Sequence, residues 1–308
     1  MRAGALSENG VIGLCCPSHV PLYEAAPGQE VPWTREYKNI IAAMEQQGFS
    51  VVQAKNMYQK TWGFLASDKE RGEDFNQLAA EKSVELILFG GGEGAPEVPP
   101  YLDFDLFREN PKRVMSYSDG TTILNAVWAR TGLETYYGQD PVCLLEQTEY
   151  NRRHFAGHIL SDSMTTHEKA SVWRSLTPGA AEGVLVGGYL LNFILLLGTE
   201  YFPVDLREPH LLFLEDHEKF GGEAHISSQL GYLEQSDFMK SVTGLIFGNY
   251  SDSPCLDLYA RLKLLGERHH IPVVYCDDFG HGENKAILPI GRSARLEVGE
   301  NGSALWYL

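Results

Sequence analysis

A serine set where an apolar strand runs straight into a helix is the first residue here suited to chemistry. The segment Met115-Ser116-Tyr117-Ser118-Asp119-Gly120-Thr121-Thr122 has that layout. A tight turn at this point lifts the Ser118 hydroxyl above the sheet. It also leaves the first N–H groups of the helix free to hold a developing oxyanion. The flanks are not Gly-x-Ser-x-Gly, because Ser116 stands at the first glycine position. Ser118, Asp119 and Thr121 equally suit a plain helix cap. A second segment, Phe89-Gly90-Gly91-Gly92-Glu93-Gly94, closes an apolar run. Glycine lets the backbone approach a ligand closely, so the Gly90-Gly91-Gly92 run can offer a second oxyanion donor; a simple tight turn reads the same way. The spacing is not the dinucleotide Gly-x-Gly-x-x-Gly, and Pro96, Pro99 and Pro100 leave no room for a capped helix directly after it.

Two later segments complete a set. Leu211-Leu212-Phe213-Leu214 ends in Glu215-Asp216, and an acid at the end of an apolar strand suits the orientation of a histidine. Phe279-Gly280-His281-Gly282 puts a histidine between glycines just past another apolar run, accessible enough to act as a base. Taken singly, the acids also read as a solvated loop start and His281 as an ordinary surface histidine. Taken together, Ser118, Glu215 and His281 follow the chain order used by α/β-hydrolases, each just past a predicted strand. The chemistry this implies is acyl transfer by an activated serine.

The elements that must position these residues alternate over the first half. Val11–Cys15 reads as a strand. Thr34–Gln47 carries Tyr37, Ile40, Ile41 and Met44 at helical spacing, with Thr34 as cap. Residues 49–54 read as a strand. Residues 67–82 read as a helix opened by a Ser67–Glu70 capping box. Val84–Phe89 and Arg113–Ser116 are strands, and 121–130 is a helix. This alternation predicts a parallel sheet covered by helices. Residues 144–176 are polar and show no clear period. Beyond them come strands at 183–186, 211–215, 242–247, 273–276 and 294–298, helices at 224–234 and Leu256–His269, and a closing hairpin through Asn301-Gly302. The expected architecture is therefore α/β. It has an N-terminal parallel sheet flanked by helices (residues 1–150), a linker region (151–175), and a C-terminal mixed, β-rich domain (176–308) that supplies the glutamate and the histidine.

Composition narrows the function classes. The chain has 308 residues, 44% hydrophobic and 21% charged, with a formal net charge of −16. That charge argues against nucleic acid and anionic membranes as partners. No apolar run reaches the 18 or so residues of a membrane span, the best being residues 189–197. No secretory signal is evident at the N-terminus, so a cytoplasmic location is expected. The five cysteines (Cys15, Cys16, Cys143, Cys255, Cys276) include no Cys-x-x-Cys pair and are expected as reduced thiols. No ligand cluster suggests a metal, and no cofactor is expected.

Over nearly its whole length the chain resembles the LD-carboxypeptidase family of serine peptidases. The resemblance rests on an ordered series: Ile12-Gly13-Leu14-Cys15-Cys16-Pro17-Ser18, Leu65 to Arg71, Tyr101-Leu102-Asp103, Asn110-Pro111-Lys112 and Tyr117-Ser118-Asp119-Gly120-Thr121. After these come Gly187-Gly188, Leu197-Gly198-Thr199, Leu214-Glu215-Asp216, Phe279-Gly280-His281 and Leu288-Pro289-Ile290-Gly291. The resemblance implies Ser118 as nucleophile, Glu215 as acid and His281 as base, with the oxyanion held near Gly92 and Asp119. It also implies a barrel-like second domain, a site between the domains and a homodimer. The substrate it implies is a small peptide, a murein tetrapeptide cut at the L,D bond to its terminal D-Ala, in the setting of murein recycling. The neighbouring expectation is the microcin C immunity branch, which hydrolyses aminoacyl–nucleotide conjugates. Its insertion between Ser and Glu is longer than the interval here; Trp173 could stack on a base, but it reads first as an ordinary core or surface tryptophan. A third expectation is a non-catalytic peptide binder on the same scaffold. Four positions depart from the family pattern: Gly90, Ser116, Tyr189 and the Gln139-Asp140 pair before Pro141.

Overall fold

Short runs of β-branched and large apolar residues build two large sheets, beside a small parallel pair of Pro21–Leu22 with Arg35–Glu36, and the order of the large sheets explains how distant segments meet. The computed structural model describes residues 1–19, 21–22, 35–63, 65–145 and 147–308. The first sheet contains β1 (Val11–Cys15), β2 (Ser50–Gln53), β3 (Val84–Phe89), β4 (Arg113–Ser116) and β5 (Thr135–Tyr137). β3 and β4 are buried almost throughout, as expected for strands covered on both faces. The covering helices are α1 (Lys38–Gln46), α2 (Asp68–Ala80), α3 (Phe104–Glu109) and α4 (Thr121–Thr131). α2 opens with the anticipated reciprocal capping box between Ser67 and Glu70. α1 begins at Lys38, later than expected; Thr34, the anticipated cap, lies outside the described residues.

The polar stretch after residue 144 resolves into α5 (Glu149–Phe155), which runs directly into a π-helical turn, Ala156–Leu160. The remaining strands are β6 (Arg174–Thr177), β7 (Gly179–Tyr189), β8 (His210–Glu215), β9 (Val242–Asn249), β10 (Val273–Gly280), β11 (Leu288–Ile290), β12 (Ser293–Val298) and β13 (Ala304–Tyr307). Between them lie α6 (Leu190–Leu196), α7 (Glu223–Gln235) and α8 (Leu256–His269). The second sheet has the order β13-β12-β7-β8-β9-β10-β6 and curls into a half-barrel, the barrel-like form expected. Its centre, β7-β8-β9-β10, is parallel; both edges are antiparallel. The closing hairpin β12–β13 pairs antiparallel, as the Asn301-Gly302 signal predicts.

The chain returns once to the first sheet. β11 pairs antiparallel with β5 and gives the order β11-β5-β4-β3-β1-β2, otherwise parallel. The segment 176–308 therefore contributes a strand to the N-terminal sheet. Helix α4 sits between the sheets. The Asn125 side chain donates to the Gly187 carbonyl at 2.8 Å, and the Tyr189 N–H donates to the Thr121 hydroxyl at 2.8 Å. Gly188 has φ of 134°, and a Cβ there would lie 2.4 Å from the Thr121 hydroxyl oxygen, so a glycine is needed for this approach. The anticipated thiol state holds in form: all five cysteines are unpaired, with Cys15, Cys16 and Cys276 buried. No described helix is long and apolar enough to cross a membrane.

Candidate active site

The residues singled out by type meet where both sheets present the C-terminal ends of their parallel strands. Ligands of open α/β sheets bind at such edges. β3 delivers the Gly90–Gly94 loop, β4 delivers Ser118, β8 ends in Glu215 and β10 runs into His281. Tyr189 ends β7 and stands beside Glu215 in register.

Ser118 adopts φ of 55°, in the left-handed region that costs a side-chain-bearing residue energy. The sharp turn from β4 requires this conformation, and it aims the hydroxyl at the imidazole. The Ser118 Oγ lies 2.9 Å from His281 Nε2, and His281 Nδ1 lies 2.8 Å from Glu215 Oε2. The serine, histidine and glutamate expected as a set thus form one continuous hydrogen-bonded chain. Glu215 is fully buried. Burial pushes its carboxyl upward. The charge and hydrogen bond of His281, with a hydrogen bond from Tyr137, outweigh burial and hold it below the ordinary range. A register shift between β9 and β10 precedes the histidine loop, and Gly280 follows with φ of 107°. A Cβ on Gly280 would come within 3.0 Å of Glu215 Oε2, so glycine lets the loop pass close over the acid.

The glycine loop packs directly on the elbow. A Cβ at Gly91 would meet Ser118 Cβ at 2.7 Å, and one at Gly92 would meet the Ser18 carbonyl oxygen at 2.1 Å. The Asp119 side chain is turned away from the serine. It accepts from the Ala95 N–H at 2.8 Å and from Asn192 Nδ2 at 2.6 Å, which ties the glycine loop, the elbow and α6 together. Burial pushes its carboxyl upward. Asp119 therefore brings its backbone, not its carboxylate, to the serine.

Around this chain lies a pocket of about 650 Å³ lined by both sheets, including Gly91, Gly92, Ser118, Asp119 and His281. Its walls add Tyr117, Tyr189, Phe220, Leu191, Leu195, Glu93, Asp140 and Lys219. Three aromatic rings surround the imidazole, with centroids at 4.8 Å (Phe220), 5.2 Å (Tyr117) and 5.6 Å (Tyr189). Trp173, weighed as a stacking partner for a base against a place in the core or on the surface, is a core residue away from the pocket. It is buried, and its indole N–H donates to Asp278 at 2.7 Å. No group of three or more His, Cys, Asp or Glu among the described residues is placed to hold a metal ion.

Sequence reasoning missed Tyr137, Tyr189, Phe220 and Asn192. Tyr137 sits on a three-residue strand, and its partners lie far away in the chain. Only Tyr189 carried a signal, as a departure from an otherwise familiar glycine segment.

Fold and pocket together define an α/β protein with a buried acid, an imidazole and a serine in series at the meeting of two sheets. The family model of the LD-carboxypeptidase N-terminal domain matches residues 20–138, and that of the C-terminal domain matches 182–296. The chain belongs to the LD-carboxypeptidase family, a family of peptide hydrolases. A putative carboxypeptidase of Treponema pallidum is 29% identical over 276 residues, 82% of this chain and 81% of that protein. A probable murein peptide carboxypeptidase of Bacillus subtilis is 26% identical, covering 98% of this chain and 93% of its own. The microcin C7 self-immunity protein MccF of Escherichia coli is 24% identical, covering 80% and 81%. Among solved structures, an MccF-like protein from Bacillus anthracis superposes with a TM-score of 0.87 at 24% identity, covering 100% of this chain and 99% of the other.

Proposed function

We propose that this chain is a serine carboxypeptidase that removes the terminal D-Ala of murein tetrapeptides through an acyl-enzyme. The observation that carries the reading is the hydrogen-bonded series Ser118–His281–Glu215 on the wall of a pocket large enough for a short peptide. His281 Nε2 takes the hydroxyl proton as Ser118 Oγ attacks the scissile carbonyl. Glu215 fixes the imidazole tautomer through Nδ1 and stabilises the imidazolium. The backbone N–H groups of Gly92 and Asp119 hold the oxyanion, with roughly 2.7–4 kcal/mol of transition-state stabilisation from a donor of this kind. The imidazolium then gives its proton to the leaving amine of D-Ala. Water, deprotonated by His281, cleaves the ester and regenerates the serine. The likeness to a murein peptide carboxypeptidase over almost the full length supports this substrate.

One feature favours a second reading. Tyr117, Tyr189 and Phe220 offer flat apolar faces beside the imidazole, and such faces suit a nucleobase. The same acyl transfer would then cut an aminoacyl–nucleotide conjugate, in keeping with the likeness to MccF. Purified protein incubated separately with murein tetrapeptide and with an aminoacyl sulfamoyl adenosine, followed by mass spectrometry, distinguishes the two. Release of D-Ala by wild type and not by Ser118→Ala is the expected result. Cleavage of the adenosine conjugate alone overturns the carboxypeptidase reading.

A further inference from the structure

The acid and the nucleophile's backbone share a partner that neither sequence segment contains. The Ser118 N–H donates to the Tyr137 hydroxyl at 3.0 Å, and that hydroxyl donates to Glu215 Oε1. One hydroxyl accepts from the elbow and donates to the acid, and both of its hydrogen-bonding roles are filled. Tyr137 is fully buried at the end of β5, and its ring packs on Phe213 of β8 at 5.6 Å. The ring thus spans from the first sheet to the second.

We infer that Tyr137 is a positioning residue for the serine–histidine–glutamate series, clamping the strained Ser118 turn and the Glu215 carboxylate into one geometry. The inference rests on the hydrolytic reading given above. Its physical content is twofold. A buried carboxylate needs each oxygen satisfied, and Oε2 is occupied by His281 while Oε1 has Tyr137. A left-handed serine at the turn holds its shape only if the surroundings over-determine it, and its N–H is fastened by the same hydroxyl. Burial and the nearby Glu215 charge push the Tyr137 phenol upward, so it stays protonated and remains a donor. The other groups bearing on Glu215 are His281, Lys285 and the adjacent Asp216, with Tyr189 beside it in register.

Tyr137→Phe keeps the ring and removes the clamp. The expected result is a fall in kcat/KM on the order of ten- to a hundredfold, carried by kcat with KM nearly constant, and slower labelling by a fluorophosphonate. The acid limb of the rate profile, which reports the coupled imidazole–carboxylate pair, moves to higher pH because the carboxylate has lost a donor. The low-field proton resonance of His281 Nδ1–H shifts as well. Phe213→Leu, which loosens the ring's packing and keeps the hydroxyl, lowers the melting temperature without moving the limb. If Tyr137→Phe does not fold, 3-fluorotyrosine at position 137 decides the matter. Its more acidic hydroxyl is a stronger donor, and the limb then moves to lower pH. A Tyr137→Phe or fluorotyrosine protein whose acid limb and low-field proton match wild type overturns the inference. A wild-type protein that neither hydrolyses its substrates nor takes the fluorophosphonate overturns the hydrolytic reading beneath it.

Discussion

At the scale of single residues, backbone strain falls on the serine that the proposed function makes the nucleophile. Ser118 is one of two non-glycine residues with positive φ among those described, and the other, His270, only ends a helix. A left-handed conformation costs an L-residue roughly 1–2 kcal/mol, a cost glycine does not bear. Ser118→Gly is therefore expected to raise stability by about 1 kcal/mol in urea denaturation while lowering hydrolysis at least a thousandfold, on the order seen when a triad nucleophile is removed. A loss of stability would mean that the turn is not strained. Asp216, next to Glu215, makes a different prediction. It is fully buried, and its Oδ2 has no hydrogen-bond partner. Burial and the Glu215 charge push its carboxyl up to about 7. Because the folded state holds this proton more tightly than the unfolded chain, a stability penalty accumulates as pH rises from about 4 through 7. Asp216→Asn, which stays neutral, is expected to match wild type near pH 4 and exceed it by a few kcal/mol at pH 8, on the order set by about three pH units of linkage. Denaturation midpoints at the two pH values check the sign.

At the scale of elements, the loop after β3 is held tightly against its neighbours. Gly92 has φ of 152° and no room for a Cβ against the Ser18 carbonyl. Gly92→Ala is expected to push the loop off the elbow and slow fluorophosphonate labelling on the order of a hundredfold, the scale of losing one oxyanion donor, with the melting temperature changed by a few degrees at most. Ser67→Ala, which breaks the capping box of α2, is expected to cost about 1 kcal/mol and leave labelling untouched. These elements were also the legible ones. Strand–helix alternation, the Ser67–Glu70 box and the Asn-Gly hairpin are local signals, and each appears in place. α5 and its π-helical turn were not legible. Their buried faces include Asn151, His154 and His158, polar residues that a hydrophobic-period argument assigns to the surface. β11 was not legible because three residues containing a proline carry no strand period; their pairing with β5 is a long-range event. In the site, Ser118, Glu215 and His281 stand after strands and were readable from that position. Tyr137 and Phe220 were not, since their roles arise only when two sheets bring separate segments into contact.

At the scale of the whole molecule, buried histidines near the junction of the two sheets make a prediction about acid stability. His154 and His158 are fully buried near the junction, with His154 5.1 Å from the His167 ring and His158 5.1 Å from the Tyr307 ring. Neither ring nitrogen of His158 has a hydrogen-bond partner. Burial, then neighbouring histidines, lower His154 to about 3 and hold His158 well below the ordinary value, while Arg292 and Arg113 add to the effect on His158. Both histidines are therefore neutral in the folded protein. The unfolded chain takes up their protons near pH 6.5, so their stabilising contribution is complete above that value and is lost as pH falls toward 3. Asp74 and Asp216, held up to about 6 and about 7, act in the opposite sense and offset about the whole of that loss between pH 7 and 4. Below pH 4 they are protonated in both states and offset nothing more. Stability is thus expected to stay nearly level from pH 7 to about 4.5 and to fall steeply beneath it. His158→Phe fills the same space with a ring that cannot be charged. Its denaturation midpoint should equal or exceed wild type at pH 7, and its acid decline should be shallower by about one proton's worth of slope, roughly 1.4 kcal/mol per pH unit. An acid arm parallel to that of wild type would show that the buried histidines do not control acid stability.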